Sequence, residues 1–152
     1  MNFTWYEWNE ISDDKLHFAV MLSIYQGKYI LIRHQDRALW EMPGGRREPG
    51  EEILHTASRE HYEETGAVHF DLTPYGMYSI DRRVGLVCFA EDHDMDTLPQ
   101  YEIEEIRLVD SLPDNMNYGG LYTRLEAKWN AHKNNMLKKY TIHYNQDGGT
   151  SQ

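Results

Sequence analysis

The sequence predicts an α/β fold, an α/β/α sandwich on a central mixed sheet. Two observations predict it. Short apolar runs bounded by turn residues recur at residues 17–25, 29–33, 68–72, 75–80 and 83–91, as strands do. Two further stretches, residues 52–64 and 117–134, read as amphipathic helices. A chain of 152 residues suits one domain with one substantial core. That domain is expected over residues 1–144. A polar, glycine-rich tail at 145–152 predicts disorder.

Residues 1–15 carry Trp5, Tyr6 and Trp8 among polar neighbours. They read as a short edge strand or packed strip, or alternatively as a dimer contact, because exposed aromatics favour interfaces. The run HFAVMLSIY at 17–25 predicts a central strand. Gln26-Gly27-Lys28 is a turn, with Gly27 free to take positive φ. Residues 29–33 return as the second strand of that hairpin, and the polar residues 34–37 form a loop. Pro49-Gly50 turns the chain before the helix at 52–64, and Gly66 suits the left-handed residue past its end. Two separate strands follow, at 68–72 and 75–80, then a third at 83–91. The acidic run Glu91-Asp92-His93-Asp94, with Asp96 and Pro99, predicts a solvated loop, although a histidine among acids is also a metal-binding pattern. In the helix at 117–134, Leu121, Leu125, Trp129 and Tyr118 supply a stripe to close the second face of the sheet. Residues 138–144 fit either an edge strand or a loose segment.

The chemistry centres on residues 45–67, GRREPGEEILHTASREHYEETGA. At about 100° per residue, Glu60, Glu63 and Glu64 fall on one helix face. Carboxylates on neighbouring turns repel one another. Two readings fit: a solvated acidic face, or ligands for a hard divalent cation, which prefers oxygen. Glu51 and Glu52 stand at the helix start, where the dipole favours negative charge. The flanking spacing bears on the choice. Gly45 is followed by five residues, Glu51, seven residues, Arg59-Glu60, two residues, Glu63-Glu64, one residue and Gly66. This pattern resembles the Nudix box, G-x5-E-x7-R-E-U-x-E-E-x-G-U, where U is a bulky aliphatic. All seven fixed positions are in register over 23 residues. Two U positions depart from it, His61 and Ala67. His61 should project near Leu54 and Ala57, toward the sheet, and reads as a core histidine with a hydrogen-bond partner rather than as a ligand.

The resemblance covers roughly residues 17–134 and implies the Nudix fold. Trp40-Glu41-Met42-Pro43-Gly44-Gly45 would be the short strand that delivers the chain to the box, and residues 102–113 a later strand. It implies a metal held by Glu60, Glu63, Glu64 and the Gly44 carbonyl, with Mg2+ expected and Mn2+ able to substitute. Glu51 would support the cluster or its loop. Arg59 would orient one of the carboxylates, or else form a plain helix ion pair. Arg46 and Arg47, on the loop over the site, are candidates for phosphate contacts, with surface solubility the competing role. Relatives often draw a further glutamate from the loop before the later strand. Glu102 is the best match, with Glu105 and Glu104 behind it, and these acids are otherwise the polar face of a strand. Glu102 and Glu63 are both candidates for the catalytic base.

Composition sets bounds. Lys and Arg total 15 against 25 Asp and Glu, giving a formal charge of −10. That disfavours a general nucleic-acid surface or an anionic membrane. A bound cation can still reverse the local sign for a phosphate substrate. The single cysteine, Cys88, lies in an apolar run and reads as a buried thiol in a reducing compartment. The acidic N-terminus lacks the pattern of a secretory signal, and no apolar span is long enough for a membrane helix. A cytoplasmic protein is expected.

The reaction implied by the resemblance is hydrolysis of a nucleoside diphosphate linked to another group. The region Ile80-Asp81-Arg82-Arg83-Val84-Gly85 carries neither the proline of ADP-ribose hydrolases nor the tyrosine of dinucleoside polyphosphate hydrolases. What remains is a MutT-like reading: a nucleoside triphosphate, such as 8-oxo-dGTP, cleaved to monophosphate and pyrophosphate. Removal of pyrophosphate from an RNA 5′ end is one alternative. A non-catalytic nucleotide sensor is another, and the intact box speaks against it. The expected partner is a nucleotide-derived small molecule, with no long nucleic acid and no membrane, bound by a monomer or homodimer.

Overall fold

A computed structural model describes residues 2–99, 102–145 and the backbone of 150–151. The elements in order are β1 (Phe3–Tyr6), a 3-10 turn (Asp13–Lys15), β2 (Phe18–Tyr25), β3 (Lys28–His34), β4 (Gly44–Arg46), α1 (Ile53–Thr65), β5 (Ala67–Ile80), β6 (Arg83–Met95), β7 (Ile103–Val109), α2 (Leu121–His132), β8 (Tyr140–Tyr144) and β9 (Thr150–Ser151). The sheet runs β7-β3-β2-β6-β5-β8-β9, with β1 on β5 and β4 on β2. The β2–β6 pair is parallel and the other pairs are antiparallel, so the sheet is mixed as the sequence predicts.

Strand alternation divides the core in two. On the α1 face, Ala19, Met21, Phe70, Leu72, Leu86 and Cys88 pack with Ile53 and Ala57. On the α2 face, Leu22, Leu31, Tyr75, Tyr78 and Val87 pack with Leu121, Tyr122 and Leu125. Trp129 extends that stripe, its ring stacked on Phe89 at 4.2 Å. Trp5 and Tyr6 lie in the edge strand β1, with Trp5 opposite Tyr78, and Trp8 follows it to pack on the α1-side core. Residues 138–144, open between two readings, supply the edge strand β8 beside β5.

Four expectations need correction. The strands expected at 68–72 and 75–80 are one strand, β5, with an irregularity between Pro74 and Gly76. On its outer edge β8 covers residues 69–72 and β1 covers 77–80. Pro74 falls in the gap, where its missing N–H costs no ladder bond on that side. The acidic run at 91–94 is not a loop but the end of β6, because its side chains find partners on neighbouring elements: Asp92 with His61, His93 with Asp71, and Asp94 with His69. Helix α2 starts later than residue 117. Tyr118 and Gly119 both have positive φ, 62° and 60°, which no right-handed helix accommodates. Tyr118 is therefore outside the buried stripe and half exposed. Finally, β3 continues through His34, which was expected in a loop. Of the predicted tail, residues 146–149 and 152 lie outside the described residues, and Thr150–Ser151 pair with β8.

The end of α1 is set by Gly66, at φ 81°, whose N–H reaches the Tyr62 carbonyl at 2.8 Å. A Cβ there would stand 2.7 Å from the Asp96 carbonyl oxygen. Gly66→Ala therefore carries both a left-handed strain and a backbone clash. Urea unfolding should show a loss of about 1–3 kcal/mol with an unchanged m-value; an unchanged midpoint would show that the turn relaxes freely.

Candidate active site

A cavity of about 530 Å³ opens between the box and the N-terminal end of α2. Its wall combines acids and backbone (Glu41, Gly44, Gly45, Glu60, Glu64, Glu102) with aromatic and apolar groups such as Phe18, Tyr78, Leu121 and Tyr122. Helix α1 delivers Glu60 and Glu64 from consecutive turns. Strand β4 delivers the two glycines. The Gln35 N–H bonds the Glu102 carbonyl at 2.9 Å and draws the start of β7 to the end of β3.

Close approach explains Gly45. A Cβ on it would lie 2.2 Å from the Glu60 carboxyl carbon, so a side chain would displace that carboxylate. At Gly44 a Cβ would meet the Ala19 carbonyl at 2.6 Å, and the Gly44 N–H donates to Glu64 Oε1 at 2.9 Å. Burial pushes the Glu64 carboxyl up to about 9, against the pull of that hydrogen bond. Burial likewise pushes Glu60 up to about 7, and Arg59 opposes the rise without cancelling it. Glu63 is raised by burial as well.

Arg59 is the hub. Its Nε donates to Glu51 Oε2 at 2.6 Å and its Nη2 to Glu51 Oε1 at 3.0 Å, a bidentate pair. Its Nη1 reaches Glu60 at 2.7 Å and Glu63 at 3.3 Å, and its Nη2 also reaches the Arg46 carbonyl at 3.0 Å. Burial alone would raise Glu51, but its bonds from Arg59 and Thr56 outweigh this and hold it down at about 2. Glu51 thus anchors Arg59 and is not merely a dipole partner. Glu52, the N-cap residue, makes no side-chain capping bond.

The predicted residues are not all brought together. Gly44, Arg46, Glu60, Glu64 and Glu102 line the cavity. Glu63 does not; it sits on the Arg59 side, about 29% exposed. Arg47, expected over the site, turns away to Asp13, with Nη1 2.6 Å from the backbone oxygen and 2.5 Å from the carboxylate. Sequence reasoning missed His34 and Glu41. His34 Nε2 is 3.5 Å from Glu64 and its Nδ1 is 3.8 Å from Glu102. Glu41 is buried and takes Arg37 Nη1 at 2.7 and 3.0 Å. The available signals were a histidine closing an apolar strand and a lone acid in the run before Pro43-Gly44-Gly45.

Glu64 has only His34 as a basic partner among the described ion pairs, and that imidazole is charged only when protonated. Ligand atoms of His34, Glu64 and Glu102 lie within 4.8 Å of one another. Oxygen-rich donors with too little positive charge fit a divalent cation.

His61, the departure inside the box, is fully buried. Its Nε2 lies 2.7 Å from Asp92 Oδ1 and its Nδ1 3.5 Å from Ser23 Oγ. The core-histidine reading holds, with a buried acid as partner. Among the described residues, Asp92 Oδ2 has no hydrogen-bond partner.

Sequence and structure comparisons agree with this geometry. The NUDIX domain family matches residues 15–124. YtkD of Bacillus subtilis, provisionally designated an 8-oxo-dGTP diphosphatase, is 33% identical over 111 residues, 70% of this chain and 69% of YtkD. Phosphatase NudJ of Escherichia coli K12 is 29% identical over 98 residues, and the match spans 64% of its length. The pyrophosphohydrolase BsRppH of Bacillus subtilis shares the fold, with a TM-score of 0.72 at 23% identity, covering 85% of this chain and 90% of that one. The protein is an enzyme, a hydrolase. It belongs to the NUDIX family. Nudix hydrolases work with a divalent metal on nucleotide-like substrates, and the donor set here suits one.

Two predictions arise from these groups. Glu60 and Glu64 titrate higher folded than their ordinary 4.5, so the folded protein binds more protons above that pH. Stability of the metal-free protein should be fullest below about 4.5 from these groups, and should be lost as pH rises through about 7 and about 9. Melting curves across this range should show the decline, and millimolar Mg2+ should flatten it; a rise toward pH 9 would contradict the assignment. His61→Leu leaves a buried acid unpaired and should cost about 3–5 kcal/mol. The double variant His61→Leu/Asp92→Leu should recover most of that in urea unfolding, whereas additive losses would show no coupling.

Proposed function

We propose that this Nudix hydrolase cleaves a nucleoside triphosphate to monophosphate and pyrophosphate, with 8-oxo-dGTP as the favoured substrate. The observation that carries the reading is the two-sided cavity. Its carboxylate wall suits a metal-bound polyphosphate, and its aromatic wall suits a base. The designation of YtkD supports the oxidised purine.

Glu60 and Glu64 are the proposed metal ligands, joined by Glu102 and His34. The Gly44 carbonyl completes the proposed set, and Glu63 stands outside it because it does not line the cavity. Mg2+ is the proposed ion. When bound, it would neutralise phosphate charge and lower the pKa of water. Arg59 positions the Glu60 carboxylate, and Glu51 fixes Arg59. Arg46, exposed on the cavity wall, is the proposed phosphate contact, whereas Arg47 is bound to Asp13. Glu102 is favoured over Glu63 as the base, because it lines the cavity and is exposed enough to exchange a proton with water. In the reaction, a water oxygen joins phosphorus, Glu102 takes its proton, and the anhydride between α- and β-phosphates breaks to release pyrophosphate. One domain over residues 1–144 and a cytoplasmic setting complete the proposal. No described helix is long and apolar enough to cross a membrane.

The test is a substrate panel with Mg2+: canonical and oxidised nucleoside triphosphates, ADP-ribose, dinucleoside polyphosphates and triphosphorylated RNA. The highest kcat/KM is expected for 8-oxo-dGTP, with pyrophosphate as product. A preference for RNA, or release of inorganic phosphate, would overturn it. Glu64→Gln should lower kcat by about two orders of magnitude or more, beyond the 10–100-fold typical of outer-shell partners. Near-normal turnover by a folded variant would remove Glu64 from the site.

A further inference from the structure

The acidic end of β6 lies outside the cavity described above, at the outer part of the sheet. There β8, β5 and β6 run side by side, with His143 opposite His69 and Thr141 opposite Asp71. Asp71 in turn stands opposite Glu91, and His69 opposite Asp94. Period-2 alternation puts the core residues Phe70, Asp92 and Ile142 on the α1 side. Asp71, Glu91, His93, His69 and His143 therefore share the opposite face. Three of the chain's eight histidines meet here from three strands. The His69 ring stacks on His143 at 4.2 Å and lies 4.9 Å from His93.

We propose that this face holds a second metal site, for a borderline transition ion of the Zn2+ class, with His93, Asp71 and Glu91 as ligands. Their ligand atoms lie within 4.8 Å of one another, and His93 Nε2 is 3.0 Å from Asp71 Oδ2. Two ligands about 2.1 Å from a tetrahedral ion stand about 3.4 Å apart, within reach of small side-chain rotations here. Support for the donors is already built. Asp71 uses its other oxygen, Oδ1, to accept from Thr141 at 2.7 Å, so an ion would replace only the hydrogen bond between Oδ2 and His93 Nε2, displacing its proton. Beside the ligand set, Asp94 holds His69 Nδ1 at 3.2 Å. The ligands come from hydrogen-bonded neighbouring strands, so the backbone spacing is fixed before any ion arrives. The adjoining cavity of about 230 Å³, lined by Asp71, Glu91, Lys133 and Lys139, gives access from solvent. Lys139 lies close enough to act on Asp71 and would compete with a weakly held ion. The imidazole sets the selectivity. The carboxylate cluster of α1 suits Mg2+, whereas a mixed nitrogen and oxygen set suits Zn2+, Ni2+ or Cu2+.

The test is equilibrium dialysis of the full, untagged chain against Zn2+ in excess Mg2+. His93→Ala and Glu91→Gln should each weaken one Zn2+ site by about tenfold or more. Both should keep the far-UV circular dichroism of the parent and its Mg2+-dependent hydrolysis. His34→Ala should leave that Zn2+ site intact. Equal Zn2+ binding by the parent, His93→Ala and Glu91→Gln would overturn the proposal. So would loss of Zn2+ in His34→Ala alone, which would put the ion in the box.

Discussion

The arrangement depends on concentrating negative charge at the buried edge of one helix. Glu60 and Glu64 stand on adjacent turns, with Glu41 and Glu102 across the cavity. Left alone, these carboxylates would repel each other and draw in water. One guanidinium limits the damage. Arg59 spans Glu51, Glu60 and Glu63, and its own position is fixed by the bidentate bond to Glu51. Burial raises the carboxyls of Glu60 and Glu64 above their ordinary range, and the bonds from Arg59 to Glu60 and from the Gly44 N–H to Glu64 do not cancel the rise. In the proposed function a divalent cation would take the place of those protons, so the cost of burying these carboxyls and the proposed metal site have one origin.

That helix also has to be held against the sheet, and this chain does so in its own way. Where the Nudix pattern has a bulky aliphatic, His61 reaches Asp92 on β6. Two polar groups replace apolar packing and offset part of each other's desolvation penalty, with Asp92 Oδ2 left without a partner among the described residues. The pair adds one directional contact between α1 and β6 to the apolar packing of Ile53 and Ala57. Neighbouring residues of β6 then face the other way: Asp92 is committed to the core, while Glu91 and His93 stand on the opposite side with Asp71.

Much of this was legible in residue order. The glycine and acid spacing of residues 45–67 is local, because α1 and its flanking turns are built from contiguous residues. The helix at residues 52–64 therefore needed only small adjustment, to Ile53–Thr65. Errors gathered where partners are distant. The run Glu91-Asp92-His93-Asp94 looked like a loop because its polarity was visible and its partners, 22 to 31 residues away, were not. Pro74 suggested a break because the unpaired gap beside it depends on where β1 and β8 dock.

By itself, the sequence determined the family, the mixed α/β architecture and the acids that crowd α1, since each is carried by short-range periodicity and spacing. The tertiary structure decided which of those acids face the cavity. Glu60 and Glu64 point in with Glu102, Glu63 stays with Arg59, and Arg47 is taken by Asp13. It also brought in His34, from the end of a strand with no place in the box. The reason is geometric. Spacing on a helix fixes which residues share a face, but what that face meets depends on chain segments that come together only when the sheet forms.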